Sequence, residues 1–316
     1  MAAPAGGAGE GVVHERTVYI EDTDCFGVVF YANCASVCTC GYGRPCHGSV
    51  ARARAHALAN CPRPADVSAL MHARTRSSRG LTADFRFAAD ARWEAGMDDC
   101  GVSRIDSAKY TRAAKLGSAL RMETFEEDGV VSHVARDAAS GEELWSAQLV
   151  MRGDEDGDCA QLELAAAGKS DFVVRTHVRA YPDEVGPGGV ASETDVLRWF
   201  ERCRTETLGG AAGLAALQDS GVHVVVARIT KGAFIPQLDV LGKELCVRSV
   251  VKVVRRGAMV KFTQQLLDPS DATTAPEGRV LASAEVTCAS IGADDGAVCA
   301  LPPAAADALA AAASQA

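Results

Sequence analysis

The sequence predicts an α+β protein built twice, as two tandem units. Two observations carry this expectation. One motif occurs in both halves of the chain, and two shorter matches follow it in the same order in each half. The second half also reads as a strand, a turn, a helix and then a run of strands, the pattern of an antiparallel sheet wrapped around a central helix. An internal repeat decides architecture before local propensity does.

The repeated motif spans Tyr19-Ile20-Glu21-Asp22-Thr23-Asp24-Cys25-Phe26-Gly27-Val28 and Tyr181-Pro182-Asp183-Glu184-Val185-Gly186-Pro187-Gly188-Gly189-Val190. Aligned without gaps, Tyr19 falls on Tyr181, Gly27 on Gly189 and Val28 on Val190. Asp24 falls on Gly186, which suggests one working site and one silent site. Leu116-Gly117 through Leu120 then matches Leu241-Gly242 through Leu245, and Gly141 through Ala147 matches Gly278 through Ala284. The units are placed at residues 14–151 and 172–291. Residues 292–316 form an Ala-rich, low-complexity tail that could be a short frayed helix.

The second copy is the easier to read. Phe172 to Tyr181 is a candidate strand, and a Pro/Gly-rich turn follows from Pro182 to Gly189. Ser192, Thr194 and Asp195 offer N-caps. Val196 to Leu208 reads as a helix, with Val196, Trp199, Phe200 and Cys203 on one face. Gly209-Gly210 ends it. Val222 to Ile229, Glu244 to Val254, Met259 to Leu267 and Arg279 to Ile291 are the strands that follow.

In the first copy Arg16 to Ile20, Leu120 to Thr124, Val130 to Val134 and Leu144 to Met151 read as strands. The helix expected after Asn33 has no clean period. Residues 34–80 are instead rich in Arg, Ala, His and Ser, with Asp66 the sole acid. Three readings stand: a disordered insertion, a mistranslated or unspliced stretch, or a basic element that contacts phosphate. Residues 49–59 or 85–98 could form a substitute helix. Cys34, Cys38, Cys40, Cys46 and His47 fit no paired-cysteine zinc spacing, so no metal is expected.

With 316 residues, the chain suits two units with self-sufficient cores, and 48% hydrophobic content fits a globular protein. A net charge of −9 argues against nucleic acid as the main partner. No stretch is apolar enough to predict a membrane span, and the N-terminus lacks the pattern of a secretory signal. The 12 cysteines are therefore read as reduced thiols in a cytoplasmic protein.

The run Glu21-Asp22-Thr23-Asp24-Cys25-Phe26-Gly27-Val28-Val29-Phe30-Tyr31-Ala32-Asn33 resembles the signature of 4-hydroxybenzoyl-CoA thioesterase-like hot-dog proteins, a family of acyl-CoA thioesterases. Leu197 to Glu206 is similar to the helix that follows it in that family. The resemblance implies a curved sheet around one long helix, with two such units paired edge to edge and active sites at their seam. Here one chain would carry both, as a pseudo-dimer. It also implies that Asp24 is catalytic and that the backbone N–H at Tyr31 polarises the thioester carbonyl. Gly27, Val28 and Asn33 would then line the substrate site, and Glu201 and Arg204 from the second unit would complete it.

The residues themselves are compatible with that chemistry. No Gly-x-Ser-x-Gly elbow occurs, and a carboxylate can serve instead, attacking directly or activating water. A helix N-terminus beside Asp24 would stabilise an oxyanion. On residue chemistry alone Asp22, Thr23 and Asp24 could equally brace a turn, and Glu201 to Glu206 could be a solvated helical face. Lys109, Arg112 and Lys115 could meet coenzyme A phosphates or form a solvated edge. The expected substrate is an acyl-CoA or acyl-carrier-protein thioester, with coenzyme A entering only as part of it and no separate cofactor. A homo-oligomer of the double chain is possible. Competing functions are a catalytically inactive thioester-binding or scaffold protein and a hot-dog hydratase or dehydratase.

Overall fold

The computed structural model describes residues 12–17, 102–112, 119–151, 163–168, 171–182, 185, 189–235, 238–271 and 277–314. Strand β1 is Val12–Thr17, β2 Val102–Tyr110, β3 Ala119–Glu127, β4 Val130–Asp137 and β5 Glu143–Met151. After them come β6 (Phe172–Arg179), a short β7 (Val190–Ala191), helix α1 (Glu193–Thr207) and helix α2 (Gly210–Asp219). The chain continues through β8 (Val222–Phe234), a short β9 (Leu238–Asp239), β10 (Glu244–Val254), β11 (Met259–Asp268) and β12 (Arg279–Gly292). Helix α3 (Pro303–Ser314) follows, so the Ala-rich tail is helical.

Among the described residues ten strands form one sheet in the order β1-β3-β4-β5-β2-β8-β12-β11-β10-β6. Its neighbours pair antiparallel throughout. Read outward from the middle, each half has the same connectivity: β2-β5-β4-β3-β1 on one side and β8-β12-β11-β10-β6 on the other. The fold is a double hot-dog, two units joined edge to edge through β2 and β8. The short sequence matches fall at equivalent places, since Gly117 and Gly242 precede β3 and β10, and Gly141 and Gly278 precede β5 and β12.

The two equivalent hairpins also turn alike. Asp137 ends β4, and its Oδ1 accepts from the Ser140 N–H (2.8 Å) and the Ser140 hydroxyl (3.0 Å). Asp268 ends β11, and its Oδ1 accepts from the Ser270 N–H (3.0 Å) and hydroxyl (2.5 Å). A short acceptor side chain that holds the next N–H groups favours a turn over a continued strand.

The core of the second unit lies between the sheet and α1. Ser192 caps α1 through a capping box: its hydroxyl accepts from the Asp195 N–H, and the Asp195 carboxylate accepts from the Ser192 N–H. The helix thus starts at Glu193, one turn earlier than its apolar spacing indicates, because acidic first-turn residues are favoured by the helix dipole. Val196, Leu197, Trp199, Phe200 and Cys203 are buried against β6, β10 and β11. Burying a side chain such as Phe200 contributes about 1.5–3 kcal/mol. Helix α3 closes against β6 and α1, with Leu301 and Leu309 buried.

The junction of the units needs a close approach. Gly232 on β8 lies opposite Ile105 on β2, and a Cβ there would come 2.8 Å from the Ile105 Cβ. Any larger residue would push the two units apart. Strand β2 itself escaped the sequence reading. Its buried residues are Val102, Ile105 and Ala108, spaced by three, because register shifts against β5 fall between them. A bulge adds an unpaired residue and breaks the period of two that marks a strand.

A segment of the inter-unit connection, residues 163–168, forms neither helix nor strand although its sequence is rich in Ala. Side chains of the sheet hold its backbone. The Gln265 amide donates to the Glu163 carbonyl (2.6 Å) and accepts from the Ala165 N–H (2.8 Å). Arg248 donates to the Ala165 carbonyl at 2.8 Å.

Candidate functional site

Of the residues the sequence singles out, Asp24, Gly27, Val28, Tyr31 and Asn33 lie outside the described residues, as does the Cys34–His47 cluster. Glu201 and Arg204 are described, one turn apart on α1.

Helix α1 belongs to the second unit, but its first turn touches the first. The Val102 N–H at the start of β2 donates to Glu193 Oε1 at 3.0 Å. The helix N-terminus therefore sits over the seam between the units.

Arg204 is buried, and its guanidinium is engaged inside the protein. Its Nη1 donates to Gln264 Oε1 at 2.5 Å. The Gln264 amide nitrogen donates in turn to the Phe200 carbonyl (2.9 Å) and the Ser249 hydroxyl (3.0 Å). Ser249 Oγ lies 3.2 Å from the Cys203 thiol. This chain of polar groups links α1 to β10 and β11 through an otherwise apolar layer. Buried polar groups are tolerable only when partnered, and a partnered network fixes one geometry. Arg204 therefore reads first as a group that positions the helix.

Glu201 is different. It is half-buried, and it forms no hydrogen bond with a described residue. Burial pushes its carboxyl above the ordinary carboxylate range, while the charges of Arg204 and Arg198 pull it partly back. Arg198 is itself held by Asp195, at 3.0 Å. The Cys288 thiol on β12 shares this surrounding: burial raises it to about 11, Arg204 lowers it and Glu201 raises it. A thiol so raised stays protonated at neutral pH and is a poor nucleophile. Glu206 is taken up elsewhere, accepting from the Thr176 hydroxyl at 2.8 Å.

Gly189 informs the repeated motif. It adopts φ +80°, and a Cβ there would lie 2.6 Å from Leu241 Cβ. In this copy the glycine is a requirement of the turn. Gln264 and Ser249 were missed by sequence reasoning. Their one signal is a polar residue at an inward position, between Phe262 and Leu266 and between Val247 and Val251.

No protein-family model matches the sequence, and no curated protein matches it. Solved structures do resemble it in fold. The 12:0-ACP thioesterase from Umbellularia californica superposes with a TM-score of 0.47 at 10% identity, over 87% of this chain and 93% of that one. An acyl-ACP thioesterase from Bacteroides thetaiotaomicron gives 0.45 at 11% identity, over 88% and 97%. A 1,4-dihydroxy-2-naphthoyl-CoA thioesterase from Synechocystis gives 0.36 at 13% identity, over 44% of this chain and 96% of its own. The strand order, rather than these likenesses, carries the fold. Among the described residues no helix is long and apolar enough to cross a membrane.

Proposed function

We propose that this chain hydrolyses an acyl or aroyl thioester, of coenzyme A or of a carrier protein, to the free acid and the thiol. The observation that carries the reading is the half-buried Glu201 carboxyl, without a hydrogen bond from any described residue, on a helix whose first turn reaches across the seam of a double hot-dog. The Asp24-to-Asn33 run supports it from the other unit. The solved thioesterases stand as likenesses of fold beside it.

In this reading Asp24 attacks the thioester carbon or takes a proton from the attacking water. For the water route, the new C–O bond forms as the proton moves to the carboxylate. The tetrahedral oxyanion is held by the N–H at Tyr31. The C–S bond then breaks, and the departing sulfur takes the proton back. Gly27, Val28 and Asn33 line the acyl site, and Glu201 completes it from the second unit. Arg204 holds the helix that carries Glu201. Gly186 leaves the opposite loop without a base.

A panel of aromatic and aliphatic acyl-CoA substrates, followed by release of free thiol, tests this. Turnover by the wild type that disappears in Asp24→Asn is the expected result. A folded protein that turns over none of the panel overturns it, in favour of a thioester-binding protein. Equal turnover in the variant removes Asp24 from the mechanism.

A further inference from the structure

On the outer face of the sheet, the register lines up cations that the sequence scatters. Lys252 on β10 lies opposite Lys261 on β11, and Lys261 opposite Thr287 on β12. Thr287 lies opposite Arg228 on β8, and Arg228 opposite Lys109 on β2. One cross-strand row thus carries four cations and no acid over five strands, roughly 19 Å at a strand spacing of ~4.8 Å. All four are exposed, and none forms an ion pair with a described residue. Like charges directly opposite one another oppose sheet formation. Two such pairs, Lys252 with Lys261 and Arg228 with Lys109, stand in one row of a protein whose net charge is −9.

Most of this row lines a depression of about 410 Å³, walled on one side by the 163–168 strap at Ala166. Lys252, Lys261 and Arg228 converge there with the hydroxyls of Thr230, Thr263 and Thr287. Two carboxylates also line it. Glu285 is neutralised by Lys231 at 2.8 Å, and Asp171 accepts from the Gly168 N–H at 2.9 Å. The lining stays net positive and rich in donors.

We propose that this depression binds a small molecule carrying two or more phosphate groups. Lys252 and Lys261 clamp one phosphate, and Arg228 with Thr287 meets the next. Charge-assisted hydrogen bonds of this kind are the strong ones, and they turn a costly like-charge pair into a favourable one. The net negative charge of the whole chain disfavours an extended polyanion and leaves a compact ligand as the occupant. Lys109 extends the row across the seam. The site is on the face opposite α1, so it stands independently of the thioesterase reading.

The test is calorimetric titration of the full chain with inorganic pyrophosphate at low ionic strength, repeated with coenzyme A as competitor. Pyrophosphate should bind, and Arg228→Gln and the double variant Lys252→Gln/Lys261→Gln should each weaken it by about tenfold or more. Lys243→Gln, whose ammonium is 3.7 Å from Asp268, should leave it unchanged. Pyrophosphate should also raise the wild-type melting temperature and not that of the double variant. Displacement by coenzyme A would identify the phosphates of that molecule as the ligand. Pyrophosphate binding that coenzyme A leaves untouched would identify a separate phosphorylated metabolite. No binding up to about 10 mM, the weak end of measurable affinity, or equal binding by the double variant, overturns the proposal. Thiol release from acyl-CoA bears on neither outcome.

Discussion

The two halves of the sheet share one connectivity and differ in what they carry. In the second half, β8, β10, β11 and β12 are long, and their inward residues join α1 in one core with Trp199, Phe200 and Phe262 at its centre. Val102, Ile105, Val131 and Leu149 of the first half join that same core, while among its described residues Leu120, Met122, Ala135, Leu144 and Trp145 form a smaller cluster apart. The two sequence repeats differ too, with Asp24 in the first and Gly186 at the aligned position of the second. Topology survives wide variation in side chains, because backbone pairing and turn chemistry define it. A site does not, and in the proposed reading one carboxylate decides it.

The largest test of that contrast is catalytic. Asp24→Asn should cut turnover by about 10²–10⁴-fold, the usual weight of a general base. Gly186→Asp in that background should not restore it, since the second loop lacks the rest of the motif. Steady-state thiol release reads both, and rescue by Gly186→Asp would make the two loops equivalent.

Next in size are the cores. Trp199→Ala should cost about 3–5 kcal/mol, the range for a buried aromatic. Trp145→Ala, in the smaller cluster, should cost less. Urea unfolding followed by circular dichroism compares them, and equal losses would mean that the smaller cluster contributes as much as the main core.

The seam comes third. Gly232→Ala places a methyl against Ile105 and should cost about 1–3 kcal/mol, as overpacking does. A neutral result in thermal unfolding would show that β2 and β8 can separate slightly at no cost.

Glu201 gives a smaller effect of the opposite sign. Its carboxyl is raised in the folded protein, so the folded state binds the proton more tightly than the unfolded one. Stability from this source is present at low pH and lost as pH rises from the ordinary Glu value through the folded one. Glu201→Gln should therefore raise the melting temperature at neutral pH, by about 2–4 °C per kcal/mol gained, and lower turnover. Turnover of the wild type should rise with pH along a limb set above the ordinary Glu range. Unchanged stability and an unchanged limb would place Glu201 outside the site.

The smallest effect belongs to exposed ion pairs. Arg104 and Asp106 lie 2.6 Å apart in solvent, and Asp106→Asn should change stability by less than about 1 kcal/mol.

Much of this protein is determined by its sequence alone. The duplication, the α+β class, helix α1 and the bounds of β10 follow from periodicity, caps and turn residues, all local properties of the chain. Asp24 and Glu201 were legible as candidates for the same reason: they sit in or beside a recognisable run. Strand β2 was not legible, because its bulges turn a period of two into one of three. The strap at 163–168 was not either, since its Ala-rich composition favours a helix and Gln265 and Arg248, about 80 to 100 residues away, tie its backbone to the sheet. The Arg204–Gln264–Ser249 network and the row from Lys252 to Lys109 depend on strand register. Register is set by which residues across the whole chain pair with one another, so these groups become neighbours only when the sheet closes.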